Sequence, residues 1–231
     1  MDRIQDVIIP HLTIELRKEG IVGLPEYEQR LRNNAGTTVF ENLLFEADIA
    51  LMFSHHGFKV TIQESPDLQI ELDGEVAYAE VTHFLEKRQD QIDEQAMRDS
   101  EDLVPIGFLP PTEGYEAWEQ LANKARKKAH QYVDGAPNIL VIATDSNSVN
   151  GDILPTAVQV YDGEANGDPC LQRLNAFMLV DQWYLWDKGL DVERNVYFCR
   201  TAHAKVSMSQ KLINTLANIQ RWSTPRNIAK I

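Results

Sequence analysis

A near-continuous apolar run, Asn138–Thr144 (NILVIAT), is the feature that most restricts how this chain can fold. A strand with apolar side chains at successive positions has to be covered on both of its faces. Three further runs, FKVTIQ, LQIEL and VAYAEVT, are typical of strands. They place predicted strands at 58–63, 68–72 and 76–82. Asp73-Gly74 lies between the last two runs and indicates a tight hairpin.

Helical patterns surround these strands. A helix is predicted from near Thr38, because Thr38 and Glu41 have the spacing of a capping box, to Gly57, since glycine commonly ends a helix. A second helix is predicted over Tyr115–Val133. Four less regular segments are also predicted. Residues 1–35 are expected to form an amphipathic helical region and residues 86–101 a solvated helix. Residues 104–114 are expected to form a loop and residues 207–222 a closing helix.

The order helix, three strands, helix, strand predicts an α/β chain with a mixed sheet of the α+β type. The 231 residues are 43% hydrophobic, which is sufficient for one domain with a sizeable core. We therefore predict a single domain over residues 1–231, with its core at 38–144. Residues 1–37 are expected to form an N-terminal helical extension, and residues 145–231 a C-terminal extension.

Composition limits the class of function and the compartment. The formal net charge of −13 disfavours nucleic acid as a partner unless a local basic stripe is present. Cys170 and Cys199 are the only cysteines, which excludes a disulfide framework and favours a reduced, cytoplasmic location. The N-terminal segment lacks a signal-peptide pattern, and no apolar run approaches the roughly 20 residues that cross a membrane. No membrane partner is expected.

Three carboxylates stand where a charge is costly. Asp67 begins the second predicted strand, Glu80 lies inside the third, and Glu46 interrupts the apolar stripe of the first helix. Each has a plain alternative: a turn residue, a residue on the wet face of an edge strand, and an acid that reaches solvent. If the three converge, their charges repel, and a hard cation such as Mg²⁺ or Mn²⁺ relieves that repulsion.

This arrangement resembles the PD-(D/E)XK nuclease superfamily. The matching residues are Pro66-Asp67 and Glu80-Val81-Thr82, preceded by the helix that carries Glu46. The resemblance covers residues 38–144 and implies a restriction-endonuclease-like αβββαβ core with N- and C-terminal helical additions. It also implies that Asp67 and Glu80 are catalytic and bind the metal ion, together with Glu46 and the backbone carbonyl of Val81. The family's lysine is expected at position 82, where this chain has Thr82.

A lysine of the second helix is the candidate for the missing positive charge. Lys128 lies just beside the apolar face of that helix, with Gln131 next to it, whereas Lys127 points the opposite way. Lys128 and Gln131 are therefore further catalytic candidates, and the alternative is an ordinary solvated basic face. The run is also the densest basic stretch of the chain, so Lys124, Lys127 and Lys128 are candidates for binding nucleic-acid phosphates.

The resemblance implies a divalent-metal-dependent nuclease that hydrolyses phosphodiester bonds in nucleic acid, with DNA favoured over RNA and Mg²⁺ or Mn²⁺ as cofactor. Thr82 and the net charge of −13 favour an alternative. In that case the chain is a catalytically inactive nuclease-like scaffold, a regulatory subunit or a protein antagonist, with a protein partner or a second copy of itself. A third interpretation is an enzyme of another class that uses the same carboxylates on a different phosphorylated substrate.

Overall fold

The computed structural model describes residues 4–84, 116–144, 149–184 and 191–225. The strands within these ranges form one mixed sheet of seven strands, which lie side by side in chain order. They are β1 (Lys59–Ile62), β2 (Leu68–Leu72), β3 (Glu75–Phe84), β4 (Asn138–Thr144), β5 (Leu174–Tyr184), β6 (Asp191–Arg200) and β7 (Arg221–Pro225).

The centre of the sheet is parallel and its two edges are antiparallel. β3, β4 and β5 run in the same direction, whereas β1–β2–β3 and β5–β6–β7 are antiparallel ladders. Every residue of β4 is buried, which confirms the prediction of a strand covered on both faces. In the β3–β4 ladder Glu80 pairs with Leu140, so this acid lies inside the sheet rather than at its edge.

Two layers of helices cover the sheet. The helices are α1 (Ile9–Lys18), α2 (Leu24–Asn33), α3 (Thr38–His55), α4 (Ala117–Lys128), α5 (Leu154–Ala165) and α6 (Gln210–Ala217). Apolar side chains of α1, α2, α3 and α6 share one core with one face of the sheet. Those of α4 and α5 form a second core on the opposite face. α3 and α4 therefore approach β3 from opposite faces.

Several predicted elements are confirmed. The bounds of β2 and β4 are those that the sequence predicts. The hairpin between β2 and β3 is also confirmed, because Asp73 and Gly74 both have a positive φ, 52° and 87°. The described elements follow the predicted order of helix, three strands, helix, strand. α4 is shorter than predicted and continues into a 3₁₀ turn, Ala129–Gln131.

The helix predicted from near Thr38 to Gly57 is α3. It begins at Thr38 and is followed by Gly57, whose φ is 87°. Its capping residue, however, is Thr37 and not Thr38. The Phe40 N–H donates to the Thr37 Oγ1 atom at 3.4 Å. The predicted capping box is therefore wrong by one position, and Phe40 cannot supply the reciprocal carboxylate.

The C-terminal extension contributes more than the predicted helical addition, because it also supplies β5, β6 and β7. The predicted closing helix at 207–222 is wrong in its last part. α6 ends at Ala217, and Trp222 lies in β7, opposite Arg194 of β6. Arg194 and Trp222 are distant in sequence, so the local apolar pattern around Trp222 cannot predict that it pairs with β6.

The predicted solvated helix at 86–101 and the predicted loop at 104–114 lie outside the described residues. In the described parts of the chain, no helix is both long enough and apolar enough to cross a membrane.

Candidate active site

Asp67 lies at the point where β2 begins. The last residue pair between β2 and β3 is Leu68 with Ala79, so Asp67 is one step beyond it, on the side where Glu80 follows. The Val81 N–H donates to the Asp67 Oδ2 atom at 2.8 Å, and the Gln63 N–H donates to the Asp67 carbonyl at 2.9 Å. These two bonds fix both the side chain and the backbone of Asp67.

Glu80 meets the end of α4. Its side chain is only 1% exposed, and its Oε1 atom lies 2.5 Å from the Lys128 Nζ atom. Lys128 is in the last turn of α4, and its side chain is 30% exposed. The helix therefore brings one positive charge to the most deeply buried acid of the site, as the position of Lys128 beside the apolar face predicts.

Glu46 reaches the same region from α3. It is buried, and the Arg30 Nη2 atom of α2 donates to both of its carboxylate oxygens, at 3.0 and 3.1 Å. The Arg30 Nη1 atom donates to the Gln63 carbonyl at 2.9 Å. Arg30 thus connects α3 to the chain between β1 and β2, and it supplies a second positive charge to the acidic group.

The three acids surround a cavity of about 200 Å³. Six of the predicted site residues line it: Glu46, Asp67, Glu80, Val81, Lys128 and Gln131. Thr82 lines it as well, and Lys128 supplies there the positive charge that Thr82 lacks. Two buried acceptor atoms, Glu80 Oε2 and Gln131 Oε1, accept no hydrogen bond from any described residue.

The pKa values of two acids of the cavity are raised. Burial raises the pKa of Glu46 to about 8, the negative charge of Asp67 adds to the rise, and Arg30 opposes it. Burial and then the charge of Glu80 raise the pKa of Asp67 to about 7, while the Val81 N–H and Lys128 lower it. Burial is the larger cause for both acids, repulsion is the second, and the two protein cations do not offset their sum.

The cavity offers oxygen donors, but they do not form a ready ligand set for a metal ion. Carboxylate and amide oxygens are the ligands that Mg²⁺ and Mn²⁺ prefer, and two such oxygens in the cavity have no described hydrogen-bond donor. Among the described residues, however, no three His, Cys, Asp or Glu side chains are already arranged to hold a metal ion. Lys128 and Arg30 instead contact two of the three acids.

Two predicted phosphate-binding lysines do not line the cavity. The Lys124 Nζ atom donates to the His83 carbonyl at 2.8 Å and lies 5.8 Å from the centre of the Phe84 ring. Burial lowers the pKa of Lys124, and the neighbouring charges of Lys128 and Lys127 lower it further. Lys127 is exposed on the outer side of α4. Their role in binding phosphates stays a prediction.

Arg30 is the site residue that the sequence prediction misses. The sequence pattern that could have found it is a cation beside the apolar stripe of α2, which the buried residues Tyr27 and Leu31 form. The Tyr27 ring lies under the Arg30 guanidinium, 5.8 Å from ring centre to Cζ, and the Tyr27 hydroxyl donates to the Leu43 carbonyl of α3. These contacts orient the Arg30 guanidinium toward Glu46, and they depend on how α2 packs against α3.

The chain matches no protein-family model, no curated protein and no solved structure to a significant degree. Function has therefore to be inferred from the residues and their geometry.

Proposed function

We propose that this chain is a divalent-metal-dependent nuclease that hydrolyses phosphodiester bonds in nucleic acid, with DNA favoured over RNA. The observation that carries the proposal is the convergence of Glu46, Asp67 and Glu80 on one small cavity, with Lys128 beside Glu80. Three buried acids at one point are costly unless a ligand compensates their charge. In this proposal the segment from α3 to β4 is a restriction-endonuclease-like core.

Asp67, Glu80 and the Val81 carbonyl would hold the metal ion, and Glu46 would complete its ligand set. A bound Mg²⁺ or Mn²⁺ supplies Lewis-acid polarisation of the phosphodiester and lowers the pKa of a bound water. The chain's own contribution is to exclude bulk water and to fix the acids. The Val81 N–H and the buried position of Glu80 perform that task.

Lys128 takes the role that the resemblance gives to the residue at position 82. Its ammonium group carries three donors, of which the contact with Glu80 uses one. The others are available to orient an attacking water and to offset the negative charge that builds up on the phosphate. Gln131 lines the same cavity and offers an amide to the same water.

The test is cleavage of linear, supercoiled and branched DNA and of RNA, with Mg²⁺ or Mn²⁺ and with EDTA. Asp67→Asn and Glu80→Gln remove one charge each at nearly constant volume. Matched controls are Asp152→Asn and Glu41→Gln, since both residues are exposed and neither lines the cavity. We expect metal-dependent cleavage that both site variants abolish and both controls retain. Cleavage that survives Asp67→Asn and Glu80→Gln contradicts the proposed site.

A second candidate function rests on a specific observation. Lys128 and Arg30 already pair with Glu80 and Glu46, so the protein supplies part of the compensation that a metal ion would bring. Together with the net charge of −13, this favours a nuclease-like scaffold, a regulatory subunit or an antagonist of a basic partner. Calorimetry separates the two functions. The absence of Mg²⁺ and Mn²⁺ binding, with no cleavage of any substrate, supports the scaffold.

A further inference from the structure

A second, larger cavity adjoins the acidic one. Its volume is about 440 Å³, and it lies between α2 and the chain that connects β1 to β2. Arg30 lines both cavities and is the residue that their two linings share. A ligand whose phosphate occupies the acidic cavity would therefore place its adjoining group in the larger one.

The backbone fixes the floor of this larger cavity. The Val22 N–H donates to the Val60 carbonyl at 3.1 Å, and the Ile62 N–H donates to the Val22 carbonyl at 3.0 Å. Gly23 follows with φ 83°, and a Cβ atom there would lie 2.0 Å from the Ile62 carbonyl oxygen. Only glycine allows this approach, so main-chain contacts fix the wall of the cavity at Gly23.

The lining of the cavity suits a nucleobase better than a phosphate. The side chains of Gln29, Asn33 and Gln63 line it, and each amide both donates and accepts hydrogen bonds. Such amides read the edges of bases in nucleic-acid complexes. Glu26 and Glu64 also line the cavity, and their negative charges disfavour a phosphate there. Carboxylates instead accept from the exocyclic amino groups that most bases carry.

We propose that this cavity binds the nucleobase next to the phosphate that is cleaved, and that Arg30 contacts the phosphate between them. The inference rests on the proposed nuclease function and extends it by naming a subsite. The Arg30 side chain is 27% exposed, and its Nη1 and Nη2 atoms donate to the Gln63 carbonyl and to Glu46, so a phosphate would bind by taking over some of these donors. A planar guanidinium fits a phosphate through paired hydrogen bonds. The volume of the cavity is within the range of small-molecule sites.

The experiment measures binding to the full-length chain by calorimetry, with and without Mg²⁺. The probes are the four ribonucleoside and the four deoxyribonucleoside 5′-monophosphates, with inorganic phosphate as the reference. The test variant is Asn33→Ala combined with Gln63→Ala. Its matched control is Gln210→Ala combined with Asn214→Ala, which removes the same two amide types from an exposed pair on α6. The ribose and deoxyribose series separate RNA from DNA as the source of the base.

We expect at least one monophosphate to bind more tightly than inorganic phosphate. The test variant should weaken that binding about tenfold, because it removes hydrogen bonds to the base, and should leave phosphate binding unchanged. The control variant should bind as the unaltered chain does. Equal binding of nucleotides by the test variant and the unaltered chain overturns the subsite, as does the absence of any nucleotide binding.

The subsite and the nuclease function fail in distinguishable ways. Nucleotide binding that depends on Asn33 and Gln63, without cleavage of any substrate, supports the subsite and contradicts the nuclease. Cleavage that depends on Asp67, together with nucleotide binding that ignores Asn33 and Gln63, supports the nuclease and overturns the subsite.

Discussion

α3 carries two buried acids only two residues apart, Glu46 and Asp48, and their surroundings differ. Glu46 meets Arg30 at the wall of the acidic cavity. Asp48 meets Arg194 of β6, whose Nη2 atom lies 2.7 Å from the Asp48 Oδ2 atom. The Arg194 side chain has no exposed surface, and its guanidinium lies 5.5 Å from the centre of the Phe45 ring. Neither Asp48 nor Arg194 lines either cavity described above.

Both acids are held in ion pairs, so an ion pair alone does not distinguish their surroundings. Asp48 and Arg194 connect α3 to β6, and both side chains are almost fully buried. Around Glu46 the cation is partly exposed, two further acids are close by, and acceptor atoms of Glu80 and Gln131 have no described donor. The cavity, the partial exposure of Arg30 and the two nearby acids distinguish the surroundings of Glu46 from those of Asp48.

The largest expected difference between the two sites is in cleavage. Asp67→Asn should lower the cleavage rate on the order of 1000-fold, because a metal ligand contributes several kcal/mol to transition-state stabilisation. Asp48→Asn should leave the rate per folded molecule unchanged. The measurement is single-turnover cleavage in Mg²⁺, with the folded fraction determined by circular dichroism. Equal losses in the two variants would mean that the site extends through α3 to Asp48.

For the free energy of unfolding we expect the opposite order, with the larger loss at the Asp48–Arg194 pair. Arg194→Met leaves Asp48 buried without its cation, which costs about 3–5 kcal/mol of the free energy of unfolding. Adding Asp48→Leu should recover most of this loss, because an apolar pair no longer requires compensation. Urea unfolding of the two single variants and the double variant measures the coupling. A double variant that is no more stable than Arg194→Met would show that the pair itself is not the cause.

Lys128→Ala should lower turnover about 100-fold, the scale of a positioned group in proton-transfer and water-orienting roles. It should also strengthen Mg²⁺ binding, because the ammonium group no longer competes for Glu80. Lys18→Ala is the matched control, since Lys18 is also in the last turn of a helix but is exposed and does not line the cavity. Stopped-flow cleavage and calorimetry give the two quantities. Unchanged turnover in Lys128→Ala would remove this lysine from the mechanism.

The smallest effect is a dependence of stability on pH in the absence of metal. The folded-state pKa values of Asp67 and Glu46 are raised to about 7 and about 8, so the folded chain holds protons that the unfolded chain releases. These two groups therefore contribute stability that is fully present below their unfolded pKa values and is lost as the pH rises toward 8, with a slope on the order of 1 kcal/mol per pH unit.

Urea unfolding in EDTA between pH 5 and pH 8 measures this slope. Glu46→Gln and Asp67→Asn should each flatten the curve, and saturating Mg²⁺ should restore stability at the alkaline end, because the ion binds the deprotonated acids. A slope that is the same in both variants and in the unaltered chain would show that these two carboxyls are not responsible for it.

Local pattern determined much of the fold. β2 and β4 have the predicted bounds because alternation and continuous apolarity are properties of the strand itself. The turn at Asp73-Gly74 follows from the conformations that these residues tolerate. β7 was less accessible, since an antiparallel edge strand depends on which distant strand it joins. The buried Arg194 in β6 has no local signal at all.

The sequence alone determined which residues of the site carry charge, and it placed Glu46, Asp67, Glu80 and Lys128 on elements that could converge. Helix and strand periodicity fix the direction of a side chain relative to its own element, and this was sufficient to select Lys128 over Lys127. Only the tertiary structure decided that Arg30 joins them, because its position depends on the packing of α2 against α3. Tertiary packing likewise made Glu46 part of a cavity and left its neighbour Asp48 in a closed ion pair.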